Sequence, residues 1–330
     1  MGKSISIVTG GAGFIGSHMV DLLLSKGHTV RIIDNFTGGW EKNIEHHRSN
    51  KNLHVYNQDI RSLDPESKIF LGAHYVFHFA GIGDIVPSIE NPSEYMDVNI
   101  QGTVRVLECA RRQKIKKILY ASSSSCYGLA PVPTTEKAPI RTEYPYALSK
   151  YLGEQSVFHW HKVYGVPANA IRIFNCYGPR VRTTGVYGAV FGVFFKQKLA
   201  GKPFTIVGDG TQKRDFLFVT DIVKAFYLAA TTPLEGQVWN LGAGNPQSVN
   251  ALVDLIEGEK TFIPKRPGEP DCTWADISKI QKDLNWKPEV SFECGVKEML
   301  KDIDRWKDAP LWDKDSIKTA TKTWFEYLGK

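Results

Sequence analysis

Apolar and polar positions follow two rhythms through the first half of the chain. Ile5-Ser-Ile-Val-Thr9 is a short apolar run, and Met19, Val20, Leu23 and Leu24 then recur at helical spacing within residues 17–26. Further strand-like runs occupy 29–33, 53–56, 75–79, 117–121 and 169–174. Helical patterns over about 100–112 and 146–164 lie between the later ones. Short, continuous apolar strands separated by helices predict a parallel sheet covered on both faces. Residues 1–175 therefore read as a doubly wound α/β domain of the Rossmann type.

After about residue 176 glycine and proline become frequent and the strands more isolated, at 204–207 and 238–241, with helical patches at 220–230 and 250–257. A smaller α+β substrate lobe is predicted over 176–330, with segments around 215–242 returning to the first sheet. From Lys301 onward, Trp306, Trp312, Trp324 and Phe325 are set among charges. This tail reads as one or two amphipathic helices packed on the body, with a partner-binding tail as the alternative. No internal repeat or low-complexity tract interrupts the pattern.

Composition narrows the picture. Of the 330 residues, 42% are hydrophobic and 23% charged, as in ordinary globular proteins. No stretch approaches the roughly 20 apolar residues of a membrane span, and the start shows no signal-peptide pattern, so a cytoplasmic protein is expected. The five cysteines, Cys109, Cys126, Cys176, Cys272 and Cys294, are scattered, without a Cys-x-x-Cys pair or zinc-finger spacing. Reduced thiols and no metal site are expected. The net charge of +6 suits an anionic substrate. The one dense basic run, Arg111-Arg-Gln-Lys-Ile-Lys-Lys117, lacks interleaved aromatics and reads as a solvated helix end, not a nucleic-acid surface.

Thr9-Gly-Gly-Ala-Gly-Phe-Ile-Gly16 joins the first strand to the first helix. Gly10, Gly13 and Gly16 suit a tight turn, close approach to a pyrophosphate and close helix–strand packing. Phe14 and Ile15 open a helix whose free N–H groups face the phosphates. Asp34, at the end of the second strand with Asn35 beside it, is placed to bond the adenosine ribose. Its charge would repel a 2′-phosphate, which favours NAD over NADP.

Tyr146-Ala-Leu-Ser-Lys150 sets a phenol and an ammonium on one helix face. Oxidation at a sugar carbinol needs a base for the hydroxyl proton, and a free phenol, with a pKa of about 10, is too weak at neutral pH. A lysine and an oxidised nicotinamide nearby would lower that pKa. Upstream, Ser122-Ser-Ser-Ser125 lies at the carboxyl end of a predicted strand, the edge where open parallel sheets bind ligands. The cluster is either a polar loop or the source of a hydroxyl bridging substrate and phenol. A hydrolase is excluded for want of a Gly-x-Ser-x-Gly elbow.

With these pieces in order, the sequence resembles the extended short-chain dehydrogenase/reductase family, above all its nucleotide-sugar 4-epimerases of the UDP-glucose 4-epimerase group. Further markers are Asp59-Ile-Arg61, His78-Phe-Ala-Gly81, Asn99-Ile-Gln-Gly-Thr103, Arg172-Ile-Phe-Asn175, Arg214-Asp-Phe216 and Arg266-Pro-Gly-Glu269. The resemblance implies that Asp59 and Ile60 flank the adenine. Phe79, Ala80, Asn99 and Ser122 would line the cofactor, and Lys150 would hold the nicotinamide ribose. Ser123 falls on the family's catalytic hydroxyl. Asn175, Arg214 and Arg266 match positions gripping the diphosphate, as guanidiniums suit, and Glu269 one near the nucleoside ribose. Dehydratase relatives carry an Asp-Glu pair where this chain has Ser124 and Ser125, and decarboxylase relatives carry a glutamate missing here. Cys126 is one residue out of register for a 3,5-epimerase. Thr273 stands where epimerases vary the bulk around the hexose, and its small size could leave room for an N-acetyl group. The implied activity is 4-epimerisation of UDP-glucose and UDP-galactose or their N-acetyl forms through a 4-keto sugar. The implied assembly is a homodimer. A dehydratase or decarboxylase acting on another activated sugar, and a non-catalytic NAD-binding sensor, are the alternatives.

Overall fold

The computed structural model describes residues 3–183 and 190–329. It opens with β1 (Ile5–Thr9), α1 (Phe14–Ser25), β2 (Thr29–Asp34), β3 (Leu53–Asn57) and β4 (Tyr75–His78). Then come α2 (Ile85–Glu90), α3 (Pro92–Met96), α4 (Gly102–Arg112), β5 (Lys117–Ser123), α5 (Pro145–Tyr164) and β6 (Ala168–Ile173). The following stretch holds β7 (Asn175–Tyr177), α6 (Val190–Leu199), β8 (Phe204–Val207), β9 (Lys213–Arg214), β10 (Phe216–Phe218) and α7 (Val219–Thr231). Next are β11 (Gln237–Leu241), β12 (Gln247–Ser248), α8 (Val249–Ile256) and β13 (Lys260–Ile263). Four helices close the chain: α9 (Ser278–Leu284), α10 (Phe292–Lys301), α11 (Lys314–Ala320) and α12 (Lys322–Leu328).

Seven strands form one parallel sheet in the order β11-β6-β5-β4-β1-β2-β3. The order reverses between β1 and β4, which opens a crevice at their carboxyl ends where a dinucleotide can lie. Strand alternation sends Val8, Ile32, Phe77 and Leu119 to one face, against α1 and α7. Ile7, Ile33, Val76 and Ile118 face the other side, against α4 and α5. Each fully buried aliphatic side chain contributes about 1.5–3 kcal/mol relative to exposure. Double-sided burial is why these strands carry apolar residues at consecutive positions.

The residues after β6 build a third core, where Phe194, Phe195, Phe204 and Trp306 are almost wholly buried. β11, inside the 215–242 stretch, pairs with β6 in the main sheet, and Trp239 at its centre is fully buried. The helices α2, α3 and α9 are too short to leave a periodic signal, whereas α10 carries one in Phe292, Val296 and Met299 that went unmarked. Among the described residues, no helix is long and apolar enough to cross a membrane.

α5 carries the Tyr146–Lys150 pair, and its ends follow local rules. Pro145 occupies its first turn, where a missing N–H costs nothing, and Gly165 closes it in the left-handed region at φ 67°. Gly153 leaves no room for a Cβ against the Tyr120 hydroxyl, so the helix lies directly on β5.

Candidate active site

The glycine turn forms a close-packed cradle. Gly10 (φ 69°) lies against the backbone of Ala80, where a Cβ would sit 2.7 Å from the Ala80 nitrogen. Gly16 leaves no space for a Cβ beside the Gly10 carbonyl. Gly13 sits at the N-cap of α1 without a capping side chain, so Phe14 and Ile15 begin the helix with backbone N–H groups turned to the crevice. Asp34 is almost wholly buried and accepts from the N–H groups of Ala12 and Phe36, both at 2.9 Å. Burial pulls its pKa upward against those two donors, and no cation among the described residues pairs with it. A cradle that only glycine permits, beside a fixed carboxylate, fits NAD.

Asp59 and Ile60 lie just beyond β3 on the same edge. Asp59 takes two bonds from the Arg61 guanidinium, at 2.8 and 3.0 Å, and one from Asn35 Nδ2 at 2.9 Å. The guanidinium holds this carboxyl down at about 2. Phe79 and Ala80 follow β4, and the Ala80 N–H donates to Thr9 Oγ1. Asn99, buried in the π-helical turn before α4, holds both the N–H and the C=O of Ile82 and donates to Ser149 Oγ at 2.9 Å. It thereby ties the loop after β4 to the helix that carries the phenol.

Replacing Asp34 with alanine is expected to shift the NAD:NADP preference toward NADP by roughly ten- to a hundredfold, because a like-charge clash is removed. Binding of each dinucleotide to the stripped chain measures the ratio, and an unchanged ratio removes Asp34 from that role.

Tyr146 and Ser123 meet at the carboxyl edge of β5. Burial raises the phenol pKa, and a hydrogen bond with Ser123 works in the opposite direction. The Ser123 hydroxyl donates to Ser125 Oγ at 3.0 Å and accepts from the Ser125 N–H. Tyr144 stacks 6.4 Å from the Tyr146 ring, and Tyr95 meets it edge-on at 6.3 Å. Lys150 is buried with its ammonium 4.4 Å above the Tyr120 ring. Burial lowers its pKa to about 8, partly offset by Glu154. Among the chain's own groups desolvation thus dominates at the phenol, and the expected lowering rests on Lys150 acting together with an oxidised nicotinamide.

Ser122 is turned away from the cleft. Its hydroxyl donates to Glu154 at 2.7 Å, inside a buried network the sequence did not mark. Glu154 takes two bonds from Arg172, at 2.5 and 2.9 Å. Arg172 donates on to the Tyr127 hydroxyl, which donates to Asn240 Oδ1, both at 2.7 Å. This chain links α5, β6, β11 and the turn after β5. Asp84 also went unmarked: it holds φ 76°, which a non-glycine residue rarely adopts. The residue before it, Gly83, is fixed through its carbonyl by the Tyr95 hydroxyl.

Of the residues expected at the diphosphate and nucleoside ribose, Arg214 and Glu269 line a cleft of 440 Å³ together with Gly208, Gln212, Lys265 and Pro270, and Arg266 meets it through Glu269. Glu269 lies between two guanidiniums, with Arg214 donating at 2.7 Å and Arg266 at 2.8 Å. Asn175 accepts from the Thr273 hydroxyl at 2.6 Å, so the small residue near the expected hexose position is tethered. Elsewhere, Asp21, His46 and His47 bring potential ligand atoms together. Arg180 already pairs with Asp21 at 2.8 Å and lies 3.5 Å from His46 Nε2, which completes that cluster as an ion-pair network.

With the geometry in place, comparison with known proteins decides the family. The model of the GDP-mannose 4,6 dehydratase family matches residues 7–299. The chain belongs to this family. Its relatives and structural neighbours are extended short-chain dehydrogenase/reductase proteins. A putative UDP-glucose 4-epimerase of Methanocaldococcus jannaschii is 37% identical over 89% of this chain and 96% of its own length. A UDP-N-acetylglucosamine 4-epimerase from Methanobrevibacter ruminantium, solved with UDP-N-acetylmuramic acid, superposes with a TM-score of 0.85 at 33% identity. That match covers 92% of this chain and all of the other. A UDP-glucuronic acid 4-epimerase from Bacillus cereus, solved with UDP-glucuronic acid and NAD, gives 0.85 at 32% identity, covering 91% and 99% of the two chains.

Proposed function

We propose that the chain is an NAD-dependent nucleotide-sugar 4-epimerase, interconverting UDP-glucose and UDP-galactose or their N-acetyl forms. The observation that carries this reading is the pairing of the Tyr146 phenol with Ser123 at the carboxyl edge of β5, one helical turn from Lys150 and across from the glycine cradle. NAD, when bound, supplies hydride exchange at C4 through a transient 4-keto sugar that takes the hydride back on its other face. Gly10, Gly13, Gly16 and the opening of α1 hold its pyrophosphate, and Asp34 its ribose. Tyr146 takes the C4 hydroxyl proton, Ser123 orients that hydroxyl, and the Lys150 ammonium favours the ionised phenol. Arg214 and Arg266 neutralise the diphosphate once Glu269 shifts toward the nucleoside ribose. Ser124 and Ser125 supply no carboxylate acid or base, so water loss has no agent here.

The same reading gives the chain a homodimer built on α4 and α5. Leu148 and Leu152 project from one face of α5 and remain exposed. Five free thiols fit the reducing cytoplasm.

Sugar NMR on purified protein given UDP-glucose, UDP-galactose and the two N-acetyl forms tests the proposal. Inversion at C4 without added reductant is the expected result. A 4-keto-6-deoxy product, or pentose with released carbon dioxide, would reassign the enzyme to a dehydratase or decarboxylase.

A further inference from the structure

The family match ends at residue 299, yet the chain beyond it is closely held. Gln197 Nε2 donates to the Trp312 carbonyl at 2.7 Å, and Ile317 of α11 is buried against Val207 of β8 and Ile263 of β13, two strands that pair in parallel. Val207 also lines the nucleotide cleft, so α11 is anchored on the wall of that cleft. A capping box between Asp313 and Ser316 starts α11.

α12 then reaches two separate parts of the molecule. On one side, Thr323 donates to Glu90 of α2 at 3.1 Å; α2 starts directly after the Gly83–Asp84 turn that borders the catalytic phenol. On the other side, the Trp324 indole N–H donates to the Pro267 carbonyl at 2.8 Å. The guanidinium of Arg266 lies 5.2 Å over the Trp324 ring. General apolar burial does not account for this contact. Phe325 and Tyr327 of the same helix stay 43% and 57% exposed, while Trp324 is 7% exposed. A helix of seven residues has little stability of its own, so its position is set by these contacts.

We propose that α12 is a strap across the mouth of the nucleotide-sugar cleft and that Trp324 is a positioning residue for Arg266. A free arginine side chain carries rotamer entropy that a ligand must otherwise overcome. The indole face below and Glu269 beside it hold the guanidinium at the cleft before substrate arrives. The tie to α2 keeps this wall in register with the wall bearing Tyr146. The inference rests on Arg266 contacting the diphosphate, as proposed above.

Calorimetric binding of UDP to the NAD-loaded protein, with kcat and KM for the UDP-sugar it turns over, tests this. Trp324→Leu, which keeps an apolar side chain but no ring face, is expected to weaken UDP binding and raise KM about tenfold, with kcat and bound NAD little changed. Trp324→Phe, which keeps the face, is expected to retain most of the affinity. In an Arg266→Ala background Trp324→Leu should add almost nothing, because the two act as a unit. Unchanged UDP affinity in Trp324→Leu, equal losses in both Trp324 variants, or full additivity with Arg266→Ala would overturn the proposal. Wild-type UDP affinity in Arg266→Ala alone would instead remove the arginine from the diphosphate, and the role of Trp324 with it.

Discussion

Tyr146→Phe is expected to lower kcat by roughly 10²–10⁴-fold, the range a positioned proton-transfer group supplies. NAD and UDP binding should survive, because the ring still packs between Tyr144 and Tyr95 and only the hydroxyl is lost. Single-turnover and steady-state rates beside bound-dinucleotide content measure this; turnover close to wild type would remove the phenol from the base role. The pH profile carries a second check. Lys150 has its pKa lowered by burial to about 8, so its charge is present below that pH and lost above it. The ammonium's support for the ionised phenol therefore fades as pH rises through 8, and kcat/KM should fall on that alkaline limb. Lys150→Arg, which stays charged at every accessible pH, should abolish that limb even where its overall rate is low.

Glu154→Leu is expected to cost roughly 3–5 kcal/mol of stability, read from denaturant midpoints, because it strands a buried charge. Arg172 is only 6% exposed at its side chain, and its partner Glu154 1%. Burial opposes the guanidinium's charge, but the Glu154 carboxylate outweighs it and holds the proton on. Converting both residues to apolar ones of similar volume should recover much of the loss, since the desolvation penalty then disappears. Activity should fall as well. The Ser122 hydroxyl loses its acceptor, and Ser122 is the direct neighbour of Ser123 at the end of β5. A loss below about 1 kcal/mol would mean that water reaches the pair, since exposed ion pairs contribute no more than that.

Family membership and architecture do not by themselves select among epimerisation, water loss and decarboxylation, since relatives with different activities share the fold. Here the distinction lies in which side chains follow Ser123. Ser124 and Ser125 form the short helical turn after β5, and Ser125 serves Ser123 through both its N–H and its hydroxyl. A carboxylate at either place would add a charge beside the phenol and raise its pKa further.

By itself the sequence determined the parts of this protein that short-range rules govern. The β1–glycine turn–α1 unit needs residues within one turn of each other, and Gly10 at φ 69° leaves a direct trace because few other residues tolerate that geometry. The Tyr146–Lys150 spacing is likewise fixed by helical pitch, and the two-sided burial of β1, β4, β5 and β6 is written in their consecutive apolar residues. Tertiary structure alone decided what depends on distant segments meeting. The sequence points the 215–242 stretch back to the first sheet but not to a position in it; that β11 takes the edge beside β6 follows from long-range pairing that no local period records. Glu154, Arg172, Tyr127 and Asn240 look like unrelated polar residues until the fold removes water from all four and turns them toward one another. The clamp of Glu269 between two arginines, and the indole beneath one of them, arise in the same way: the motifs mark Arg214, Arg266 and Glu269, but only chain crossing brings them together with Trp324.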